Sequence, residues 1–477
     1  MTETYDAIVI GGGSAGLAFA KRASRHGVRI AMVERDALGG TCVNRGCVPK
    51  KMLWHVAHVH RTAAAFAANG ELDTAPEPAF ARAHDVINEH IETIRESYRD
   101  TLDERDVELV RGSAQLIDQD GDVIVRVGEN GTGRTLHAPT IVIACGTKPT
   151  RPDLPGIDLA DTSDDAFGWD RAPESLVIVG GGYIGVEFAT VMSAFGSRVT
   201  LIESGEDILD GFDPDAVRLA RRHLERDGVR IITNAQLDGI ERSGNGLRAS
   251  FEGAEPIDAE RVLVAIGRSP RTKELGPIAT ALETADNGTL KVSETFETSR
   301  PGLYAVGDAA DRMPLTPVAR RDGAWLADHL FGERDAGPRL DLDLVATSAF
   351  CDPPVAQVGT TGADQGADDL YVDSDVGAPL KDGLLSEEER DWRDERIGSG
   401  ERGGRNGTEG LATGRSHTLY KLLTRGKGGP LRGAVLVSRT APDEIAWAAA
   451  AIEGGLDLPT LRRAAPVHPT FAEEFMG

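Results

Sequence analysis

Apolar positions along the chain gather into short unbroken runs, each closed by a glycine turn that opens into an alanine-rich stretch of helical period. In "YDAIVIGGGSAGLAFAKRA" the run from Tyr5 to Ile10 predicts a strand buried on both faces, and the residues beyond the glycines predict a helix. A second strand, "VRIAMVE", ends at Glu34. The order strand, glycines, helix, strand returns in "SLVIVGGGYIGVEFATVMSAFGSRVTLIE", which ends at Glu203. Gly11 to Glu34 and Gly180 to Glu203 span the same interval, which makes the recurrence an internal repeat. The β-branched runs "TIVIACGTKPTRP" (140–152) and "RVLVAIGRSPRT" (261–272) predict strands ending in small residues and a proline-bearing turn. They suit the chain's return from each repeated unit. "GLYAVGDAADRMPLTPVA" (302–319) adds a strand over "LYAV", ended by Gly307 and Asp308. Helices are expected after Pro49 and over 85–108, where Ile87, Ile91 and Ile94 form a packing stripe under a charged outer face.

The two glycine turns carry a chemical meaning. Gly11, Gly13 and Gly16 form G-x-G-x-x-G, as do Gly180, Gly182 and Gly185. The first glycine permits the tight turn, the second lets a pyrophosphate approach the backbone, and the third packs helix on strand. Free N–H groups at the helix start then face the phosphates, and the acid closing the second strand accepts from ribose hydroxyls. Two dinucleotide folds in one chain imply two nucleotides, most simply a flavin and a nicotinamide between which a hydride passes.

Length and charge narrow the picture. A chain of 477 residues holds roughly three domains. Its 76 acidic against 52 basic residues give a net charge of −24, which argues against nucleic acid or an anionic membrane as partner. Lysine is scarce beside arginine and the acids are spread throughout, a balance suited to a molar-salt cytoplasm where the Debye length is about 3 Å. No leader pattern and no apolar run of about 20 residues is visible, so a cytoplasmic location is expected.

Four cysteines in such a compartment are poor candidates for structural staples. Cys42 and Cys47 stand close together in "LGGTCVNRGCVPKK", at the entry to a helix. Five residues of regular helix advance about 7.5 Å, whereas a disulfide holds its Cα atoms within about 4.4–6.8 Å. The segment must therefore be irregular if the two are to pair, and Gly46 and Pro49 allow that. Zinc is the rival reading, but no second Cys or His pair stands at ligand spacing, so no metal is expected. His55, His58 and His60 read as solvated or packed, and Cys145 and Cys351 as buried free thiols.

"GGTCVNRGCVPKK" resembles the redox-disulfide motif of the class I pyridine nucleotide-disulfide oxidoreductases, and its Pro-Lys-Lys resembles glutathione reductases. "CGTKP", "AIGR", "AVGDAA", "LTPVA" and "HPTFAEE" extend the likeness over nearly the whole chain. The resemblance implies an α/β fold with two Rossmann-like domains and a C-terminal α+β dimerisation domain. FAD would be bound by 1–149 and NAD(P)H by 150–268, with 269–341 completing the FAD site and 342–477 forming the dimer. Only 361–415 is foreign, and its charged, Gly-rich composition reads as a flexible surface insertion. By the same resemblance Cys47 is the thiolate nearest the flavin and Cys42 the interchange thiol that attacks the substrate disulfide. His468 is the acid/base and Glu473 its orienting carboxylate, both reaching the site of the other subunit of a homodimer. Lys50 lies against the flavin and pairs with Glu187, while Tyr183 covers the nicotinamide pocket. Gly11, Gly13, Ser14, Gly16, Glu34, Thr41, Gly146, Arg268, Asp308 and Thr316 fall at FAD positions, and Gly180, Gly182, Gly185, Glu203 and Gly267 at NAD(P)H positions.

The departures bear on substrate and coenzyme. Ser14 and Ala18 match the peptide-binding positions, but Lys21 replaces an arginine and Ala324 stands where glutathione reductases grip the peptide with another. Arg320 and Arg321 lie slightly earlier. A smaller disulfide lacking the glycine carboxylates, bis-γ-glutamylcystine, suits that pocket better than glutathione disulfide. Glu203 and the acidic "LIESGEDIL" favour NADH, although related reductases prefer NADPH. Dihydrolipoamide dehydrogenase is the alternative: it shares the fold and suits Glu203, but usually carries Ile-Pro-Ser-Lys where this chain has "VPKK".

Overall fold

The computed structural model describes residues 2–68, 70, 72–74, 76–77, 79–128, 133–361, 370–375, 418–464 and 466. The chain divides into two compact units. Met1–Met52, His84–Thr150 and Gly267–Leu340 form the first, and Leu53–Ala83, Arg151–Ile266 and Asp341–Gly477 the second. The helices used below are, in chain order, α1 (Ser14–Ala23), α2 (Gly40–Asn44), α3 (Cys47–Ala68), α4 (Phe80–Asp103), α5 (Ser163–Ala166), α6 (Tyr183–Ala194), α7 (Pro214–Arg226), α8 (Pro277–Thr280) and α9 (Thr316–Phe331). Among the described residues, no helix is long and apolar enough to cross a membrane.

The first unit is built on a parallel sheet in the order Leu303–Ala305, Thr140–Ile143, Ala7–Ile10, Ile30–Glu34, Glu108–Arg111. Ala7–Ile10 is central, with Ala7 opposite both Ile30 and Thr140, and all its residues are buried. Ile8 and Ile10 feed one core with Leu136, Ile141 and Ile143, while Ala7 and Val9 feed another with Phe19 and Met32. A strand covered on both faces reads as one apolar run. In the second core α1 lies along α9, so close that a Cβ on Gly323 would strike the Ala15 carbonyl.

Two expectations change here. The helix expected over 85–108 runs Phe80–Asp103. It ends where Val107 N–H turns back to the Leu102 carbonyl (3.0 Å) and Asp106 takes a φ of 53°, a left-handed step that Asp tolerates better than most residues. Glu108 then begins a strand. The two proline-bearing turns, in turn, pair with each other: Thr147–Pro149 and Arg268–Pro270 form an antiparallel ribbon.

In the second unit a parallel sheet runs Asp161–Thr162, Arg261–Val264, Ser175–Val179, Arg198–Ile202, Arg230–Ile232. Gln236–Ser243, Gly246–Glu252 and Ala254–Ala259 form an antiparallel meander. The C-terminal sheet is antiparallel, in the order Thr347–Ala349, Val355–Gly359, Leu431–Val437, Leu419–Arg425, Leu370–Asp375, and the helix Ala441–Glu453 shares its core. Leu370–Asp375 falls inside the segment read as a flexible insertion and is a strand, paired with Leu419–Arg425. Residues 362–369 and 376–417 of that segment lie outside the described residues.

Candidate active site

The repeat seen in the sequence is also a repeat of hydrogen bonds. Gly11 stands at φ 114°, and a Cβ there would strike the Ala144 carbonyl; Gly180, at φ 111°, has the same relation to Ala265. Glu34 Oε2 accepts from Gly12 N–H at 2.6 Å, as Glu203 Oε2 does from Gly181 N–H at 2.6 Å. Glu34 Oε1 takes Asp36 N–H at 2.8 Å, and Glu203 Oε1 takes Gly205 N–H at 2.6 Å and Ser204 Oγ at 3.0 Å. Each acid expected at a ribose thus fixes the glycine turn. A loop backs each turn, through Gly39 N–H to Gly12 O and Leu209 N–H to Gly181 O, both 2.8 Å.

These turns fit dinucleotides. No side chain caps α1 at Gly13 or α6 at Gly182. A Cβ on Gly182 would meet nothing within 4 Å, and one on Gly13 only the Gly40 Cα at 3.6 Å. Open space before uncapped helix N-termini is what a pyrophosphate needs. The third glycines pack as expected, since Cβ atoms on Gly16 and Gly185 would strike the carbonyls of Gly11 and Gly180.

The cysteine segment breaks where irregularity was required. Helix α2 ends at Asn44, Arg45 leaves helical geometry (φ −150°, ψ 34°), and α3 restarts at Cys47. Asn44 staples the break, donating to the Gly40 carbonyl at 2.9 Å while its Oδ1 accepts from Arg95 Nε at 2.8 Å. Cys42 is half-buried and Cys47 exposed, and both are in the thiol form. The Cys42 thiol is pushed far up, first by its hydrogen bond to Cys47 and then by burial, while the Ser14 and Thr316 hydroxyls oppose the shift. Thr316 Oγ1 lies 3.7 Å from Cys47 Sγ. Ser14, Cys47 and Thr316 are the first residues of α1, α3 and α9, so three helix N-termini converge on the dithiol. Cys47 opens α3, whose N-terminus favours negative charge there over Cys42, the thiol pushed up.

Arg268 is more than a surface arginine. Its Nε donates to Thr147 Oγ1 (2.9 Å), and its Nη2 to the Thr147 carbonyl (3.1 Å) and Thr41 Oγ1 (3.4 Å), joining the ribbon to the residue before Cys42. Burial pushes the Asp308 carboxyl up, and Arg268 opposes that. Gly146 stands at φ 63° and accepts from Arg271 N–H, and Gly267 at φ 119° accepts from Thr150 N–H.

Tyr98 and Arg105, unnoticed in the sequence, interact with Lys21 and Arg320, which stood out there. Burial raises the phenol of Tyr98 on α4, and ionisation of Cys42 would raise it further, against Arg320. Lys21 Nζ lies over the Tyr98 ring, 4.5 Å from its centre. Burial lowers the Lys21 ammonium, and repulsion from Arg105 and Arg320 lowers it further. Arg105 Nε is buried without a hydrogen-bond partner. Lys21, Arg105 and Arg320 thus form one group of cations, linked electrostatically through Tyr98 to Cys42. Tyr98 continues the stripe of Ile87, Ile91 and Ile94 one turn on, which was the available signal. Ala18 and Ala324 are half-buried.

In the second unit, Tyr183 opens α6 and is 44% exposed. Glu187, one turn on, is buried, and its Oε1 accepts from Phe350 N–H at 3.0 Å. Lys50, in the first unit, is half-buried in the first turn of α3. His55 and His58 both meet the Trp54 ring, and His58 Nδ1 lies 3.2 Å from Asp352 Oδ2; His60 packs edge-on to Phe195. Among the described residues no group of His, Cys, Asp and Glu is disposed to hold a metal. His468 and Glu473 lie outside the described residues.

Residues 5–323 match the pyridine nucleotide-disulphide oxidoreductase family, and the chain belongs to it. It is 32% identical to a glutathione reductase from Nostoc sp., over all of this chain and 99% of the relative. It is 31% identical to a dihydrolipoyl dehydrogenase from Haloferax volcanii, over 98% of this chain and 94% of the relative. The solved Cu(II) complex of the HOCl-induced flavoprotein disulfide reductase RclA from Escherichia coli is similar over 100% of this chain and 98% of that one, with a TM-score of 0.82 and 27% identity. The protein is thus an FAD-containing, NAD(P)H-linked oxidoreductase of the disulfide reductase type.

Proposed function

We propose that the protein reduces a low-molecular-weight disulfide bearing carboxylates, with bis-γ-glutamylcystine the best match and glutathione disulfide next. The observation that carries this reading is the group of Lys21, Arg105 and Arg320, in which Lys21 lies over Tyr98 and Tyr98 in turn interacts electrostatically with Cys42. Such cations attract a carboxylate and gain nothing from the uncharged ring of lipoamide. Ala324 removes one cation, which suits a substrate with fewer carboxylates than glutathione disulfide. Glu203 favours the second reading, dihydrolipoamide dehydrogenase, which the Haloferax relative also represents.

When bound, FAD and the nicotinamide supply the two electrons that keep the cysteine pair reduced. The residues do the rest. Cys42, whose thiol is pushed up, must lose its proton before it can attack. By family resemblance His468 of a second copy takes that proton, with Glu473 orienting the imidazole, so that the site belongs to a homodimer. The Cys42 thiolate then attacks one sulfur of the substrate, the substrate S–S bond breaks, and His468 returns the proton to the departing thiolate. Cys47 attacks the Cys42 sulfur of the mixed disulfide and releases the second thiol as the Cys42–Cys47 bond forms. On the same resemblance Lys50 and Glu187 flank the flavin, where an ammonium favours charge on the reduced ring.

The test compares kcat/KM for bis-γ-glutamylcystine, glutathione disulfide and lipoamide, with NADH or NADPH, in about 3 M KCl, where long-range repulsion is screened. A preference of tenfold or more for the first, about 1.4 kcal/mol in transition-state binding, supports the proposal. A preference for lipoamide overturns it in favour of the dehydrogenase.

A further inference from the structure

Lys421 lies in Leu419–Arg425 of the C-terminal sheet and is only 6% exposed. Its ammonium donates to Asp213 Oδ2 at 2.8 Å and Asp215 Oδ2 at 2.9 Å, and those residues are 0% and 3% exposed. Asp213 also caps α7, accepting from Asp215 N–H at 2.9 Å. Two buried carboxylates at one helix start repel each other unless cations compensate them. Lys421 does so, with Arg218 bonded to Asp215. Gln357 brackets the same turn: its Oε1 accepts from Asp213 N–H and its Nε2 donates to the Gly211 carbonyl, both at 2.9 Å.

The turn held in this way ends the loop 204–213, whose middle backs the second glycine turn. Leu209 N–H bonds the Gly181 carbonyl, and a Cβ on Gly181 would come within 2.9 Å of Ile208 Cγ2. Leu209 stands at φ 54°, a conformation that persists in a bulky residue only when its surroundings enforce it. The loop begins beside Glu203, whose carboxylate holds Gly181 and Gly205. In the first motif the equivalent loop runs straight into α2, whereas here it runs to Asp213 and so to Lys421.

We propose that Lys421, with Gln357, is a positioning residue for the nicotinamide coenzyme. From the C-terminal sheet it fixes the loop that sets the Gly180–Gly182 turn and Glu203, on which the adenosine half of the coenzyme seats. This rests on the second motif being the NAD(P)H site. The ion group is buried, so salt does not screen it as it does surface pairs.

The test measures the dissociation constant of ADP-ribose, the coenzyme without its nicotinamide, by calorimetry on the FAD-loaded protein. Lys421→Met alone strands two buried carboxylates, so the decisive variants are Gln357→Leu and the triple Lys421→Met/Asp213→Asn/Asp215→Asn, which removes the charges with little change of shape. Both are expected to bind ADP-ribose about tenfold more weakly, a loss of about 1.4 kcal/mol. The KM for NADH should rise with it, while the KM for the disulfide and the titre of reactive thiols stay at parental values. Affinity within about twofold of the parent in folded variants overturns the proposal, as does an equal rise of both KM values, which marks a merely structural role. If the parent binds FAD but no ADP-ribose, the assignment of the second motif is what fails.

Discussion

The hydrogen bond to Cys47 and burial push the Cys42 thiol up against the opposing hydroxyls of Ser14 and Thr316, which favours the proton on the thiol that, by family resemblance, attacks. The principal cause of the raised Cys42 pKa is Cys47, so removing Cys47 brings it down. At a fixed pH more Cys42 is then thiolate. In Cys47→Ser, alkylation of Cys42 by iodoacetamide at pH 8, followed by mass spectrometry of the peptide, should be several-fold faster than in the reduced parent. A rate no faster than the parent's would mean that Cys47 does not raise the Cys42 pKa. The neighbouring cations make a separate prediction. A charge-assisted hydrogen bond contributes about 1.5–3 kcal/mol. Arg320→Ala or Arg105→Ala should therefore raise the KM of a carboxylated disulfide about tenfold or more, and leave that of lipoamide unchanged. Equal effects on both substrates would remove the argument for an anionic substrate.

At the level of elements, the two glycine–helix units were legible because strands buried on both faces leave continuous apolar runs, and because the turns demand glycine at fixed offsets. Long-range pairing was not legible. Nothing local in 147–149 announces a partner at 268–270, and Leu370–Asp375 is an edge strand bordered by polar sequence, where no alternation stands out. Lys21 and Arg320 were legible one at a time, near positions matched by resemblance, but with Arg105 they come from three parts of the chain, so no spacing betrays the group; Tyr98 carried a hint as the next step of an isoleucine stripe. The second unit's strand end predicts a coenzyme preference. Glu203 keeps both oxygens on backbone N–H groups, and Arg221 holds Asp207 in the same loop at 3.0 Å, so carboxylates occupy the region where a 2′-phosphate would need cations. NADH should exceed NADPH in kcat/KM by about tenfold or more at moderate salt, the size expected of one repelled charge pair worth over 1 kcal/mol. Steady-state kinetics with both coenzymes decide it, and a preference for NADPH would point to Arg198 as compensation.

For the whole molecule the governing quantity is a net charge of −24 on 477 residues. Self-repulsion of that size opposes the compact state, and its reach is set by the Debye length, about 10 Å at 0.1 M salt and about 3 Å at 1 M. Many exposed carboxylates are already paired with arginine, as in Arg134 with Glu3 and Glu108, and Arg248 with Asp258. Screening weakens those pairs too, but exposed pairs contribute only about 0–1 kcal/mol each. The unpaired excess is larger in sum and longer in range, so repulsion decides the sign. The thermal midpoint should therefore climb steeply between 0.1 and 1 M KCl. A curve that levels off above 1 M marks screening as the whole effect, since little repulsion is left to remove. A curve that keeps climbing through 3 M adds salt-strengthened burial of apolar surface. A midpoint that falls with salt would show the surface pairs to outweigh the excess charge, and adaptation to a molar-salt interior would lose its support.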